Sequence, residues 1–280
     1  MPRTRIAVIG HVEHDTLGRV DAAPRAGDIV HMQDARVIPG GGGALAFAQL
    51  AQSDAELHFF TAVGDDDAGR VVLARLADRP GIHVHAARRA EPHPRVVVMV
   101  DADGRRTIVV TRPPLQAAAS DDLPWSTLAI CDAVYFTGSD EGALVRAREA
   151  PRLIVTARRR PVLDQARVTA DVVVGSASDP REDAPRDDYL ARPTWLVLTD
   201  GPRPIRVIGE EGTALVDAPP RVDRPLGDYG AGDSFAGALV WFLARGLPVA
   251  EAVRRAGPFG AAVLRGVDPL EVQAPLSPID

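Results

Sequence analysis

Asp233 and the small residues before it, Gly230-Ala231-Gly232, put one carboxylate and unhindered backbone at a point where loop turns into helix. The stretch that follows, Ser234 to Arg245, is apolar and free of proline, and Gly246-Leu247-Pro248 would stop it. Read as a helix, Ala238 to Ala244 is apolar all round and so belongs in the interior. The open amides of its first turn would attract an anion, Gly230 and Gly232 lack the Cβ that would hold a ligand away, and Asp233 would stand beside them as a general base. Those parts suit phosphoryl transfer to a hydroxyl. They also suit a plain capped turn, with Asp233 an N-cap, and on the residues alone the two readings weigh about the same.

Other stretches carry groups of the same kind. Gly40-Gly41-Gly42-Gly43 precedes Ala44 to Ala51, a second helix whose start lets backbone approach a ligand closely. Gly41, Gly43 and Ala46 have the spacing of a dinucleotide fingerprint, but that signature belongs directly after the first strand and this one lies well downstream. His11, Val12, Glu13, His14 and Asp15 follow the buried run Arg5 to Gly10, at the carboxyl end of a strand, where open α/β sheets hold ligands. The Asp15 carboxylate can accept hydrogen bonds from two hydroxyls. Spacing alone makes His11, Glu13 and His14 a weak metal set. His83 and His85 share one strand face, so a zinc site is conceivable there, against the commoner outcome of solvent or packing. Asp65, Asp66 and Asp67 read as caps at the positive end of a helix running to Ala77 rather than as a metal cluster.

The elements that would position these groups alternate. Leu57 to Gly64, Ala133 to Phe136, Leu153 to Val155, Val172 to Val174 and Trp195 to Leu198 read as strands. In the second half they alternate with helical patterns, as a parallel sheet with crossover helices requires. His83 to His85, Arg95 to Val100 and Arg106 to Val110 are β-rich, with Asp101-Ala102-Asp103-Gly104 a hairpin turn between the last two. Val249 to Leu264 reads as a helix pair, and the tail from Gln273, with Pro275 and Pro278, as irregular chain.

Composition excludes several chemistries. With 280 residues the chain can bury a sizeable core. A net charge of −6 gives no sign of a nucleic-acid or anionic-membrane partner, and no apolar run approaches membrane-spanning length. Met1 to Arg5 leads into only a short apolar strand, unlike a secretory leader, and Cys131 alone can form no intrachain disulfide, which fits a reducing cytoplasm. Lysine and asparagine are absent altogether. That removes a Walker-type lysine, a lysine Schiff base and a protein-kinase lysine, so every basic phosphate contact must come from arginine, histidine or backbone.

Gly230 to Gly237 resembles the carboxyl-terminal signature of the ribokinase-like (PfkB-type) carbohydrate kinases, and weaker features follow that family's order along nearly the whole chain. Asp15 lies where the family binds sugar hydroxyls, Pro24 to Val30 is similar to its Pro-x-x-Gly-Glu segment, and Gly40 to Gly43 takes the place of its Gly-Gly-x-Gly sugar motif. Gly64, Asp66 and Gly69 resemble its Gly-x-Asp-x-x-Gly step, and Thr199-Asp200-Gly201 its Thr-x-Gly nucleotide turn. Ser176-Ala177-Ser178-Asp179 stands where Asn-x-x-Glu helps to organise Mg2+ and phosphate. There are departures. Gly42 and Leu45 replace the lysine and asparagine of ribokinase itself, which argues against D-ribose as acceptor, and Pro202 and Pro204 stiffen the nucleotide turn. Gly227-Asp228-Tyr229 replaces Asp-Thr-Thr at the family's monovalent-cation site. Within Thr156 to Arg160 only Arg160 matches Asp-x-Asn-x-Arg, and a solvated basic turn is preferred there.

The resemblance implies an α/β chain with a three-layer α/β/α ribokinase-like fold, a mostly parallel central sheet and a small β lid. It implies a single domain over 1–280, with lid segments near 11–39 and 83–112. It also implies ATP-dependent phosphotransfer to a hydroxyl of a sugar or sugar-like molecule. Asp233 would be the base and Gly230, Ala231 and Gly232 the anion hole, while Asp15, Gly41, Gly42 and Gly43 hold the acceptor. Thr199 and Gly201 would meet ATP, and Asp179 would help to hold Mg2+. Arg95 and Arg112 are candidates to reach the acceptor from the lid. Lids in that family often pair across a dimer, so a homodimer through the lid is an option, although no exposed apolar stripe demands it. Nucleoside kinase, which Leu45 and Phe47 could favour, and a nucleotide-binding regulator that has lost phosphorylation are the alternatives.

Overall fold

A strand that is apolar at every position is satisfied only where both of its faces are covered. Strand β1 (Arg5–Ile9), apolar and buried from Ile6 onward, is such a case, with Ile6 and Val8 in one core and Ala7 and Ile9 in another. Parallel neighbours flank it on either side, β4 (Glu56–Gly64) and β8 (Ala133–Phe136). The computed structural model, which describes residues 3–76 and 80–277, extends this sheet to nine strands. From one edge the order is β13 (Gly212–Val216), β12 (Arg203–Gly209), β11 (Trp195–Asp200), β10 (Val172–Ser176), β9 (Leu153–Thr156), β8, β1, β4 and β5 (Ile82–Arg89). From β11 to β5 every pairing is parallel, and only the β11–β12 and β12–β13 pairings are antiparallel.

One face of the sheet is covered by α1 (Gly42–Leu50), α2 (Asp67–Leu76), α5 (Ala231–Ala244) and α6 (Val249–Val263). The other is covered by α3 (Glu141–Ala147), α4 (Arg160–Ala166) and the 3-10 turn Trp125–Ile130. This is the expected three-layer, mostly parallel architecture. Helix α5 is buried from Ser234 to Leu243 because it lies between α1 and α6. Gly237 permits that closeness, since a Cβ there would stand 2.6 Å from the Ala46 carbonyl oxygen in α1. The starts of α1 and α5, and with them both glycine runs, are thereby brought side by side.

A second sheet has the order β3 (Gln33–Gly40), β2 (Glu13–Arg19), β6 (Arg95–Val100), β7 (Arg106–Val110). Its inner residues Leu17, Ile38, Val96, Val98 and Val100 pack on Leu45 of α1 and on Tyr229, so it is docked over the two helix starts. The lid segment expected at 83–112 is corrected here. His83 and His85 sit on β5, which pairs along its length with β4, so only β6 and β7 of that segment join the small sheet. The helix pair expected at 249–264 is a single helix, α6, with Pro258 inside it. Burial of Ala252, Val253 and Ala256 carries this helix through a proline that local preference marks as a break. Ala77 and Pro278 lie outside the described residues. Among the described residues, no helix is long and apolar enough to cross a membrane.

Candidate active site

Parallel strands end on one side of a sheet, and here the adjacent ends of β1, β8, β9, β10 and β11 set out His11, Thr137, Arg158 with Arg159, Glu182, and Thr199 in a row. The first turn of α5 enters this row. Gly230 takes a left-handed φ of 81° that swings the chain straight into the helix, and the space beside Gly232 is open. Amides of Gly232 and Asp233 fall where a helix offers no internal acceptor, whereas the Ala231 N–H points at the Asp228 carbonyl at 3.4 Å. A Cβ on Gly42 would lie 2.9 Å from Asp233 Oδ1 and 3.7 Å from Thr137 Oγ1, so the missing side chain leaves the carboxylate its room. At Gly41, with φ 85°, a Cβ would stand 2.7 Å from the His11 ring and 3.4 Å from Glu13 Cγ. At Gly43 it would stand 2.7 Å from the His11 carbonyl oxygen. The structure therefore brings Asp233 and its small-residue turn together with Gly41 to Gly43.

The charges are crowded. Burial pushes the Asp233 carboxyl up to about 6, with Arg106 pulling the other way. Glu13 is pushed up to about 7, first by burial and then by the charge of Asp233. Burial, with Arg159 and Arg158 nearby, holds His11 down at about 4, so its ring is neutral at pH 7. A carboxylate titrating near 6 is mostly ionised at neutral pH and more basic than an ordinary aspartate, which suits a general base. The sequence offered Glu13 only within a weak metal set and did not single out Arg106. Arg106 reaches it from β7 by binding Asp228 at 2.5 Å, while Arg95 pairs instead with Asp66 at 3.6 Å and Arg112 is exposed.

Asp15 sits within β2 rather than in a loop, and it is fully buried. The Tyr229 hydroxyl donates to Asp15 Oδ2 and accepts the Gly41 N–H at 3.3 Å, while Asp15 Oδ1 has no partner. A Cβ at Gly40 would overlap the carboxylate, so glycine is required there. Burial raises the Asp15 carboxyl to about 7 against the opposing Tyr229 bond. In this arrangement Asp15, through Tyr229, braces the turn into α1. His14 pairs across to Arg95 on the opposite face of β2 from Glu13, so His11, Glu13 and His14 do not converge.

At the other end of the row Arg158 binds Glu182 Oε1 and Asp179 Oδ2, both at 2.7 Å, and Arg181 adds a bond to Asp179 at 2.9 Å. Arg181 first, with Arg158 behind it, holds Asp179 down at about 2. The Ser176 N–H donates to the remaining Glu182 oxygen at 2.9 Å. Both carboxylates are thus already matched by arginine and do not fit direct Mg2+ ligation. Arg159 donates to the Thr137 carbonyl at 2.9 Å, and Arg160 turns away to the Asp188 carbonyl at 2.7 Å. The Thr199 hydroxyl donates to the Gly175 carbonyl at 3.2 Å, and Gly201, at φ 56°, forms an open turn into β12. Asp66 accepts the Gly69 N–H at 2.9 Å as the cap expected of it. A recess of about 570 Å³ lined by Asp183, Arg186, Arg206 and Glu210 lies against β12 and includes none of these site residues.

An open sheet with charged groups along its carboxyl ends and a second sheet docked over them is a ribokinase-like fold. The chain superposes on the crystal structure of ribokinase from Thermotoga maritima with a TM-score of 0.76 and 19% identity, covering 97% of this chain and 96% of that one. It superposes on adenosine kinase from Sinorhizobium meliloti with a TM-score of 0.74 and 16% identity, covering 96% of each. The chain belongs to the pfkB family of carbohydrate kinases, whose model matches residues 3–164 and 186–270. Ribokinase of Lactococcus lactis subsp. lactis (strain IL1403) is 24% identical over 275 residues, 90% of this chain and 88% of the relative. Membership makes the protein an ATP-dependent phosphotransferase with an alcohol group as acceptor.

Proposed function

We propose that the protein phosphorylates a hydroxyl of a sugar or sugar-like small molecule, with Asp233 as the base. The observation that carries this reading is the meeting, at one point of the strand-end row, of a carboxylate pushed up to about 6, a helix start with open amides and a glycine turn. The acceptor would lie over Gly42 and Thr137, held by the backbone of Gly41 to Gly43. As its oxygen bonds to the γ-phosphorus of ATP its proton passes to Asp233, and the bond from that phosphorus to the ADP oxygen breaks. Amides of Gly232 and Asp233, at the positive end of α5 and next to the Gly230-Ala231 turn, would take up charge on the moving phosphoryl group.

Arg158 and Arg159 would supply the positive charge along the phosphates that lysine cannot supply in this chain. Thr199 and Gly201 mark the nucleotide end. Mg2+ would arrive with ATP, but Asp179 and Glu182 are bound to Arg158 and no step above runs through the ion. With Asp15 enclosed and Leu45 in place of a polar contact, the acceptor pocket is less polar than free ribose would require. A homodimer through the small sheet is supported by the exposed apolar run Ile108, Val109 and Val110 on its edge strand β7, and a cytoplasmic setting by the dependence on ATP.

ADP release from Mg-ATP in the presence of sugars, sugar phosphates and nucleosides tests the proposal. Release that depends on a sugar or sugar phosphate supports it, and release that depends on a nucleoside replaces it with nucleoside phosphorylation. ATP binding without acceptor-dependent release across the panel would overturn it in favour of a nucleotide-binding regulator.

A further inference from the structure

At the opposite, amino-terminal end of the large sheet lies a cluster that phosphotransfer does not use. Glu56 and His58 alternate on β4, His83 and His85 alternate on β5, and His58 is the register partner of His83, so these side chains project from one face. One ligand atom from each of Glu56, His58 and His83 lies within 4.8 Å of the others, which is the only such set of three among the described residues. His58 is 7% exposed, and its Nε2 has no hydrogen-bond partner. That orphan nitrogen stands 3.5 Å from Glu56 Oε1.

The surrounding contacts orient both groups. His58 Nδ1 lies 3.1 Å from His85 Nε2, and in the tautomer that donates along that line the Nε2 lone pair is directed at Glu56, the form that could bind a cation. Arg5 Nε donates to the other Glu56 oxygen at 3.0 Å and turns Oε1 toward His58.

We propose that Glu56, His58 and His83 bind a divalent transition-metal ion of the Zn2+ class, apart from the phosphotransfer site. Zinc ligands at 2.0–2.2 Å in a tetrahedron stand about 3.4 Å from one another, a spacing the Glu56–His58 pair already has. His83 is exposed and on an edge strand, so it can turn its ring to the third corner, and water would fill the fourth. Two imidazoles with one carboxylate select such an ion over Mg2+ or Ca2+. The bound ion clips edge strand β5 to β4.

The test is titration of the full, chelator-treated protein with Co2+, read by its visible absorption, followed by competition with Zn2+ and with Mg2+. The expected result is one equivalent of four- or five-coordinate Co2+, displaced by Zn2+ and untouched by Mg2+. His83→Ala, at an exposed position, should abolish the signal, and His31→Ala, at an exposed histidine outside the cluster, should leave it intact. His85→Ala, which removes the orienting partner alone, should weaken binding about 10–100-fold. His58→Gln should also lose the signal, and if that variant does not fold, His83→Ala decides. Absence of stoichiometric binding, or binding that survives His83→Ala, would overturn the proposal.

Discussion

Replacing Tyr229 with phenylalanine removes one oxygen from the interior and leaves Asp15 to be measured without its partner. In the native protein the hydroxyl donates to Asp15 Oδ2 and accepts the Gly41 N–H at 3.3 Å, and Asp15 Oδ1 is already unpartnered. Burial raises Asp15 from 3.8 to about 7 while the Tyr229 bond lowers it, so the variant's folded-state value must rise further. An aspartate whose pKa is higher folded than unfolded binds more protons in the folded state between the two values. Its contribution to stability therefore falls as pH climbs from the unfolded value to the folded one. In the native protein that fall ends at about 7, and in Tyr229→Phe it continues to higher pH.

At pH 5.5 the folded carboxyl is protonated in both proteins, and the variant loses a neutral hydrogen bond and the amide's acceptor, about 1–2 kcal/mol. At pH 8.5 each unit of further pKa rise adds about 1.4 kcal/mol, for a total of about 2–4 kcal/mol. Urea unfolding at the two pH values should show this as a midpoint shift that grows with pH at constant slope. A destabilisation that is equal at both pH values would refute the reading of Asp15 as a buried, titrating group held by Tyr229.

Turnover should rise as pH climbs through about 6, because Asp233 accepts a proton only when ionised, and the neighbouring Glu13, near 7, should broaden the rise. A rate that is flat from pH 5 to 8 would contradict this. Gly42→Ala would place a Cβ 2.9 Å from Asp233 Oδ1, so kcat should fall by about 10²-fold through displacement of the base, with little change in melting temperature. Unchanged kcat would mean that the carboxylate is not confined there. Gln273→Leu removes the amide that bonds the Leu45 carbonyl and the Ser234 hydroxyl, both at 2.9 Å, and should cost about 1–3 kcal/mol in urea unfolding.

The central sheet was legible because most of its parallel strands, β5 apart, are short apolar runs, and α5 because Ala238 to Ala244 has no polar face. The glycine runs were equally plain, since only close packing or an unusual φ calls for several glycines at a helix start. Sheet membership was not legible. The β-rich run at His83 looks the same in either sheet, and pairing with β4 decides it. Nothing in the polar stretch Glu13-His14-Asp15 marks it as a strand, and only pairing with β3 and β6 makes it one. The link from Asp15 to Tyr229 joins residues far apart in sequence, a contact that no local pattern encodes. Arg158 and Arg159 were hidden for the opposite reason: Arg160 fits the family pattern, yet the two residues before it are the ones that turn toward the row. Glu182 was passed over in favour of Asp179, which the motif spacing selects and which Arg181 and Arg158 tie up.

Steady-state turnover of Asp233→Asn, with the acceptor that the panel identifies, is the decisive measurement. Asparagine keeps the shape of the side chain and removes the base, so kcat should fall about 10²–10⁴-fold while the fold and ATP binding are retained. A correctly folded variant that turns over at nearly the native rate would take Asp233 out of the mechanism.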